Sequence, residues 1–158
     1  MDPSGSAQDG KTGYYTHIKD PAHHWAKRGL NSRTAMLPCG VAGDKDAPLI
    51  GLIWVNSGPG DPNRGRHLHK GDAINLILDG AMYMDGVWLR PGQAKIVPAE
   101  TTYGDGVTSP DGVLFLEIFV SHDGAKPRFH DPLCQSYYEE VHGGVLFSHL
   151  GPAGAPGE

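Results

Sequence analysis

Glycines at short, regular intervals constrain the fold of this chain more than any other feature of its sequence. Between Asp72 and Val113 they stand at positions 80, 86, 92, 104, 106 and 112, and they divide the chain into strand-length pieces. Helices of ordinary length do not fit between them. With 23 glycines and 13 prolines in 158 residues, the composition indicates many turns and therefore many short strands.

The pieces between the turns carry the residue types of β-strands. PLIGLIWV at 48–55 and INLIL at 74–78 are aliphatic runs, and the second is expected to end at Asp79–Gly80. AMYM and VWLR flank Asp85–Gly86, a dipeptide that supplies the two positive-φ residues of a type I′ hairpin turn. GVLFLEIFV at 112–120 is apolar at nearly every position, which predicts a barrel-wall strand covered on both faces. The chain is therefore predicted to be all-β.

The length allows one folded domain, because domains usually contain about 100 to 200 residues. Residues 1–13 are small and polar, and residues 151–158 are rich in glycine and proline, so both ends are expected to be flexible. The β-barrel is expected to occupy residues 14–150, with arms at its N- and C-terminal ends.

The charge balance excludes some classes of partner. Lys and Arg number 13 against 18 Asp and Glu, so the formal net charge is -5 and provides no field that would attract a phosphate backbone. No apolar stretch approaches the roughly 18 to 20 residues of a membrane span, and the first residues lack the layout of a signal peptide. We therefore expect no nucleic acid or membrane partner and a cytoplasmic location.

The segment His67-Leu68-His69 is the first candidate for chemistry. Residues i and i+2 of a strand point to one face and lie about 6.5 to 7 Å apart, so a curved strand lets two imidazoles converge on one ion. Two nitrogens make an incomplete site, because catalytic metals usually have about three protein ligands. A third donor is therefore needed. Counting by twos along the next strand puts Asn75 on the same inward face, and the available oxygen donors are Asp72, Asn75, Glu100, Tyr103 and Glu117.

Three carboxylates are the candidates for the third metal ligand, namely Asp72, Glu100 and Glu117. Glu117 lies inside the apolar run LFLEIF, where a carboxylate is costly unless it is paired with a cation or a metal. The sequence leaves the choice among the three open.

The segment from Gly60 to Tyr103 resembles the two motifs of the cupin superfamily, small β-barrels whose pocket holds a divalent metal in many members. The first motif has a His-x-His pair, a glutamate four or five residues later and a closing glycine; here the pair is followed by Ala73 at the glutamate position and by Gly80. The second motif, Pro-x-Gly-x-x-His, matches Pro98–Tyr103 and puts Tyr103 at the position of the fourth ligand.

The resemblance implies a single-domain double-stranded β-helix, or jelly roll, of the RmlC-like type, and a homodimer. The apolar outer face of 112–120 also favours a dimer, because that face needs cover. The function implied is that of an enzyme acting on a small organic molecule, aromatic or an enolisable carbonyl compound, inside the barrel. His67 and His69 would hold Fe, Mn, Ni or Zn for dioxygenase, isomerase or cyclase chemistry.

Two other functions remain open at this point. One is a cupin that binds or senses a small molecule without catalysis and without metal. The other is a metal-free cupin enzyme in which His69 and Tyr103 perform acid/base chemistry. In each case the side chains predicted to line the pocket include one amide and three aromatic rings, which would suit a flat apolar ligand: Asn75, Tyr83, Trp88 and Phe115.

Overall fold

Nine strands, one α-helix and a short 3₁₀ helix (Asp123–Ala125) form the regular structure of the described residues, in a computed structural model covering residues 26–27, 32–40, 44–55, 65–104 and 106–142. The strands are β1 (Ala26–Lys27), β2 (Ser32–Pro38), β3 (Leu49–Val55), β4 (His67–His69), β5 (Ala73–Met84), β6 (Val87–Leu89), β7 (Ala94–Val97), β8 (Val107–Phe119) and β9 (Pro127–Phe129), and the helix is α1 (Pro132–His142). The predicted flexible ends, 1–13 and 151–158, lie outside the described residues. The division at residues 14 and 150 stays a prediction.

The strands form two antiparallel sheets, which confirms the predicted all-β jelly roll. The larger sheet has the order β1-β2-β3-β8-β5-β6, and β7 pairs with β5 beside it. The smaller sheet contains β4 and β9. The long strands β5 and β8 pair with each other over most of their lengths and form the centre of the wall. The described residues contain no helix capable of crossing a membrane.

Alternation along the central strands separates an inner from an outer face of the wall. In β5 the residues Ala73, Asn75 and Ile77 are buried, as counting by twos from the sequence predicts. In β8 every second residue from Val113 to Phe119 is buried on the same side, and most of these side chains belong to one apolar core cluster. Side chains of the inner face therefore surround the barrel interior.

The dipeptides Asp79–Gly80 and Asp85–Gly86 adopt different local structures. Asp85 and Gly86 have φ angles of 47° and 89°, which confirms the predicted turn with two positive-φ residues. The expectation that a strand ends at Asp79–Gly80 is wrong, because β5 continues to Met84 with register shifts on both sides of that dipeptide. At Gly80, φ is 69° and a Cβ would lie 2.2 Å from the carbonyl oxygen of Gly112. Only glycine fits this bulge.

The bulge reverses which residues face the barrel interior. Before it the inward residues have odd numbers, whereas after it Met82 and Met84 are buried. Tyr83 and Trp88, predicted to line the pocket, consequently lie on the outside of the hairpin with 39% and 43% of their surfaces exposed. Their rings contact each other, with centroids 5.6 Å apart.

The outer face of the wall is apolar but incompletely covered. Leu114, Leu116 and Ile118 of β8 are half-buried, whereas the sequence predicted cover on both faces of this strand. A line of four paired isoleucines crosses four strands on this face, and we call it the outer apolar row: Ile50, Ile118, Ile74 and Ile96. Ile96, at one end, is 69% exposed.

Candidate metal centre

His67 and His69 lie on the short strand β4 and both point into the barrel interior. Both side chains are buried, and their ring centroids are 5.2 Å apart. The residue between them, Leu68, faces the other way and is half-buried. The i, i+2 spacing therefore brings the two imidazoles to one face, as the sequence predicts.

Backbone hydrogen bonds join the two motif segments. The amide of His67 donates to the carbonyl of Tyr103 over 2.8 Å, and the amide of Tyr103 donates to the carbonyl of His67 over 2.9 Å. The amide of Glu100 donates to the carbonyl of His69 over 2.8 Å. Glu100 has φ of 61°, which is in the left-handed region that few residues other than glycine adopt. Tyr103 is thereby held beside the two histidines.

A second contact orients the ring of His67. Its Nδ1 lies 2.8 Å from the carbonyl oxygen of Gly65. Because a carbonyl only accepts hydrogen bonds, Nδ1 is the donor, and in the neutral ring Nε2 carries the lone pair that can bind a metal. Gly104, with φ of 111°, leaves room for this contact, since a Cβ there would lie 2.8 Å from the Gly65 oxygen.

The side chain of Glu117, in the middle of β8, lies close to the two histidines. Its side chain is buried, with 4% of the residue exposed, and the Tyr103 hydroxyl donates a 2.5 Å hydrogen bond to its Oε1. Within the described residues Glu117 forms no ion pair with a lysine or arginine. A buried carboxylate is costly without a compensating cation, so a cation bound beside Glu117 would stabilise it.

His67, His69 and Glu117 form a group that fits a divalent transition metal. One potential ligand atom from each lies within 4.8 Å of the others, and all three residues are buried. Atoms bound to one ion at about 2.1 Å lie about 3.0 to 3.4 Å apart in octahedral or tetrahedral geometry, so the three ligand atoms would approach one another by up to about 1.5 Å on binding. Two imidazoles and one carboxylate suit iron, manganese, nickel and zinc, and are the donor set of non-haem iron oxygenases.

The structure does not bring the other two candidate carboxylates to this group. Asp72 is exposed, and its Oδ1 accepts a 2.7 Å hydrogen bond from the amide of Ala99. The side chain of Glu100 is exposed and forms an ion pair with Arg128. Among the three carboxylates chosen from the sequence, only Glu117 belongs to the buried group.

Aromatic side chains enclose the histidines. The Phe119 ring lies 4.7 Å from the His69 ring, and the Phe129 ring of β9 lies 5.0 Å from the His67 ring, both measured between centroids. Tyr138 of α1 packs behind Phe129 at 5.5 Å. These rings exclude water from the histidine side of the group. Phe115, a predicted substrate-binding residue, is buried on the same face of β8 as Glu117.

One polar residue of the interior was missed by sequence reasoning. Lys95 of β7 pairs with Asn75 of β5, which in turn pairs with Glu117 of β8. Directly paired residues of antiparallel strands point to the same face, so these three side chains form an inner polar row: Lys95, Asn75 and Glu117. A lysine near a turn ordinarily lies in solvent, and the periodicity of a four-residue strand is too short a signal to indicate otherwise.

Lys70, in contrast, has the solvent exposure that is usual for a lysine. Lys70 follows β4 and donates a 2.6 Å hydrogen bond to Asp123, with both side chains more than half exposed. This hydrogen bond raises the pKa of Lys70 and lowers the pKa of Asp123. The pair lies in a surface groove that also includes Glu100, Arg128 and Glu139 and that is not lined by His67, His69 or Glu117.

Comparison with known proteins identifies the fold. No protein-family model matches the chain, and no curated protein sequence matches it. Among solved structures, an RmlC-like cupin from Shewanella frigidimarina is 17% identical, with 68% of this chain and 90% of that chain covered and a TM-score of 0.50. Oxalate decarboxylase from Bacillus subtilis is 12% identical, with 76% and 36% covered and a TM-score of 0.54.

A third similar structure has a different function. A chain in the complex of SigE with the anti-sigma ChrR from Rhodobacter sphaeroides is 22% identical, with 75% of this chain and 60% of that chain covered and a TM-score of 0.52. The topology and the enclosed histidine pair define a β-barrel of the jelly-roll class. More specifically, this chain has the cupin fold. Because that fold supports unrelated functions, the function has to be argued from the site.

Proposed function

We propose that this chain is a metal-dependent enzyme that acts on a small organic molecule inside the barrel. The observation that carries the proposal is the buried group of His67, His69 and Glu117, whose potential ligand atoms lie within 4.8 Å of one another. A divalent cation would also compensate the charge of Glu117, which has no ion-pair partner among the described residues.

The residues of the site have distinct tasks in this proposal. His67 and His69 supply neutral nitrogen ligands, and Glu117 supplies a carboxylate oxygen. A bound Fe, Mn, Ni or Zn ion would polarise a carbonyl or enolate oxygen, or support chemistry with O₂. Tyr103 orients the carboxylate through its 2.5 Å hydrogen bond and holds a proton at its phenolic oxygen beside the ligand group. Phe119 and Phe129 keep water away from the imidazoles.

Metal titration tests the ligand set. Metal-free protein is titrated anaerobically with Fe(II), Mn(II), Ni(II) and Zn(II), and about one ion per chain is expected for the preferred metals. His69→Gln and Glu117→Gln each lower the affinity by more than about 100-fold, because each removes a direct ligand, whereas Tyr103→Phe lowers it by about 10- to 100-fold. Glu100→Gln is the matched control, because it makes the same change at an exposed carboxylate paired with Arg128.

The titration has two outcomes that contradict the proposal. One is a wild-type protein that binds none of the four ions. The other is an equal loss of affinity in Glu117→Gln and Glu100→Gln, which would mean that the buried carboxylate is not a ligand.

Catalysis is tested separately, by following product formation and O₂ uptake with enolisable carbonyl compounds and phenols. A metal-loaded protein that binds such a compound without turning it over would be a binding or sensing protein.

A metal-free enzyme is the second candidate function, and the contact between Tyr103 and Glu117 favours it. A phenol that donates to a buried carboxylate, with the His69 ring 5.7 Å from the phenol ring, provides groups for acid/base catalysis without an ion. In this case turnover persists after chelation of metals, and Tyr103→Phe abolishes it while the affinity for the substrate is unchanged. Loss of turnover on chelation, restored by adding metal, would reject this candidate.

We also propose that the protein is a homodimer that buries the outer apolar row. The row crosses four strands without a charged residue, and Ile96 is 69% exposed in the single chain. Light scattering of the wild type is expected to give twice the mass of the chain, and the double substitution Ile74→Lys and Ile96→Lys is expected to give monomers. A monomeric wild type at micromolar concentration would contradict the proposal.

The cytoplasmic location stays a prediction from the sequence.

A further inference from the structure

The inner polar row places two hydrogen-bond donors beside the candidate metal ligand. Asn75 pairs directly with Glu117 across β5 and β8, and Lys95 pairs directly with Asn75 across β7 and β5. Paired side chains on one face have Cβ atoms about 4.5 to 5.5 Å apart. A small molecule bound next to Glu117 would therefore be within reach of an amide and of an ammonium group.

Asn75 is buried in a way that indicates a missing partner. The residue is 1% exposed, and its Nδ2 has no hydrogen-bond partner among the described residues. A buried amide nitrogen that donates no hydrogen bond is costly, and native proteins rarely retain one without a role. The residue opposite Glu117 on β3 is Gly51, where a Cβ would lie 3.6 Å from the side chains of Ile53 and Met36, and the inward residue before Asn75 is Ala73.

Lys95 brings a positive charge to the same face. Its side chain is mostly buried, with 24% exposed, and its Nζ lies 5.6 Å from the centroid of the Tyr103 ring. It also forms an ion pair with Asp85 in the turn of the β5–β6 hairpin. An ammonium group has three donor hydrogens, so Lys95 can keep Asp85 as a partner and still donate to a ligand.

We propose that the ligand of this barrel carries a carboxylate, which Lys95 and Asn75 bind beside the metal group. Lys95 supplies the opposite charge and Asn75 supplies a hydrogen bond from Nδ2. The proposal names the class of substrate for the site described under Proposed function and rests on that site being the substrate pocket. It gives Lys95 and Asn75 the role of specificity-determining residues, since neither belongs to the metal group.

The test compares carboxylates with neutral molecules of the same shape. Acetate, oxalate and benzoate, and the corresponding amides, are titrated into Zn-loaded protein by calorimetry. Each acid is expected to bind at least 10-fold more tightly than its amide, and Lys95→Met is expected to reduce that preference by about 10-fold, because hydrogen bonds to charged groups are strong. Asn75→Leu is expected to weaken binding of the acids by about 10-fold. Lys70→Met is the matched control, since Lys70 is exposed and pairs with Asp123, and it should leave every affinity unchanged.

A bound metal itself attracts carboxylates, so the decisive comparison is between wild type and Lys95→Met at equal metal content. Binding of no acid by the wild type at millimolar concentration overturns the proposal, as does an acid preference that is unchanged in Lys95→Met. The metal content of each variant is measured in parallel. Normal metal content with no acid preference rejects the carboxylate ligand alone, whereas an acid preference that depends on Lys95 in a protein that binds no metal rejects the metal centre alone.

Discussion

At one level of the sheet, the barrel wall has polar side chains on its inner face and apolar side chains on its outer face. Across β7, β5 and β8 the inner face carries the inner polar row, with an ammonium, an amide and a carboxylate. The residue next to each of these, Ile96, Ile74 and Ile118, faces outward and belongs to the outer apolar row. Antiparallel sheets usually have the opposite arrangement, with apolar residues towards the core and polar residues towards water.

The residues that stabilise the barrel are therefore different from the residues proposed to bind the ligand. Elsewhere on the inner face the wall follows the ordinary rule, with Ile77, Val113 and Phe119 in the core cluster. The inner polar row buries groups that cost free energy, and it lies beside the histidine pair. The cost is therefore confined to the part of the wall that faces the candidate site.

The largest expected effect compares an apolar residue on each face. Ile77→Ala, at a position 1% exposed on the inner face, is expected to lower the free energy of unfolding by about 2 to 5 kcal/mol. Ile96→Ala, at a position 69% exposed on the outer face, is expected to change it by less than about 0.5 kcal/mol in the monomer. Urea unfolding at protein concentrations low enough to dissociate the proposed dimer measures both values. Similar losses at the two positions would mean that the two faces are equally covered, and the comparison would fail.

A smaller effect is expected at the hydrogen bond from Tyr103 to Glu117. In metal-free protein, Tyr103→Phe removes a hydrogen bond to a buried carboxylate and is expected to cost about 1.5 to 3 kcal/mol of unfolding free energy. Glu117→Leu in the same chain removes the acceptor as well and should restore most of that stability, because replacing both partners with apolar groups is nearly neutral. A double-mutant cycle measures the coupling. A coupling energy of zero would show that the contact between Tyr103 and Glu117 contributes nothing to the stability of the protein.

The smallest expected effect is a gain in stability. Asn75→Leu replaces a buried amide by an apolar side chain of similar size and is expected to raise the unfolding free energy by about 1 kcal/mol. Thr34→Val is the matched control, because the Thr34 Oγ1 is also buried without a partner among the described residues but lies on β2. Thr34→Val should increase stability without changing ligand affinity. A loss of stability in Asn75→Leu would contradict the idea that Asn75 is retained for binding.

The fold could be predicted because its signals are local. The two-residue turn at Asp85–Gly86 and the i, i+2 histidines depend on a few neighbouring residues each, and the structure confirms both. The glycines mark strand ends less reliably, because Gly80 lies inside β5 and Gly112 inside β8. The failure at Asp79–Gly80 is equally instructive. An Asp-Gly pair also suits a bulge, and only the approach of Gly112 from β8 distinguishes a bulge from a turn.

The site was harder to predict because it depends on pairing between distant segments. Glu117 was one of three candidates, and its choice over Asp72 and Glu100 depends on the register between β5 and β8. The same register brings Lys95 to the interior through Asn75. Counting by twos also misplaces Tyr83, since one extra residue at a bulge exchanges the two faces of all that follows.

The packing of Phe129 and Tyr138 behind His67 has a consequence for biosynthesis. On the ribosome the histidines emerge first, and the glutamate and the aromatic cover follow about 50 to 70 residues later, which takes several seconds at ordinary translation rates. During that interval the imidazoles are open to any ion in the surrounding fluid. An ion bound as proposed would therefore be enclosed only when the residues up to Tyr138 have folded.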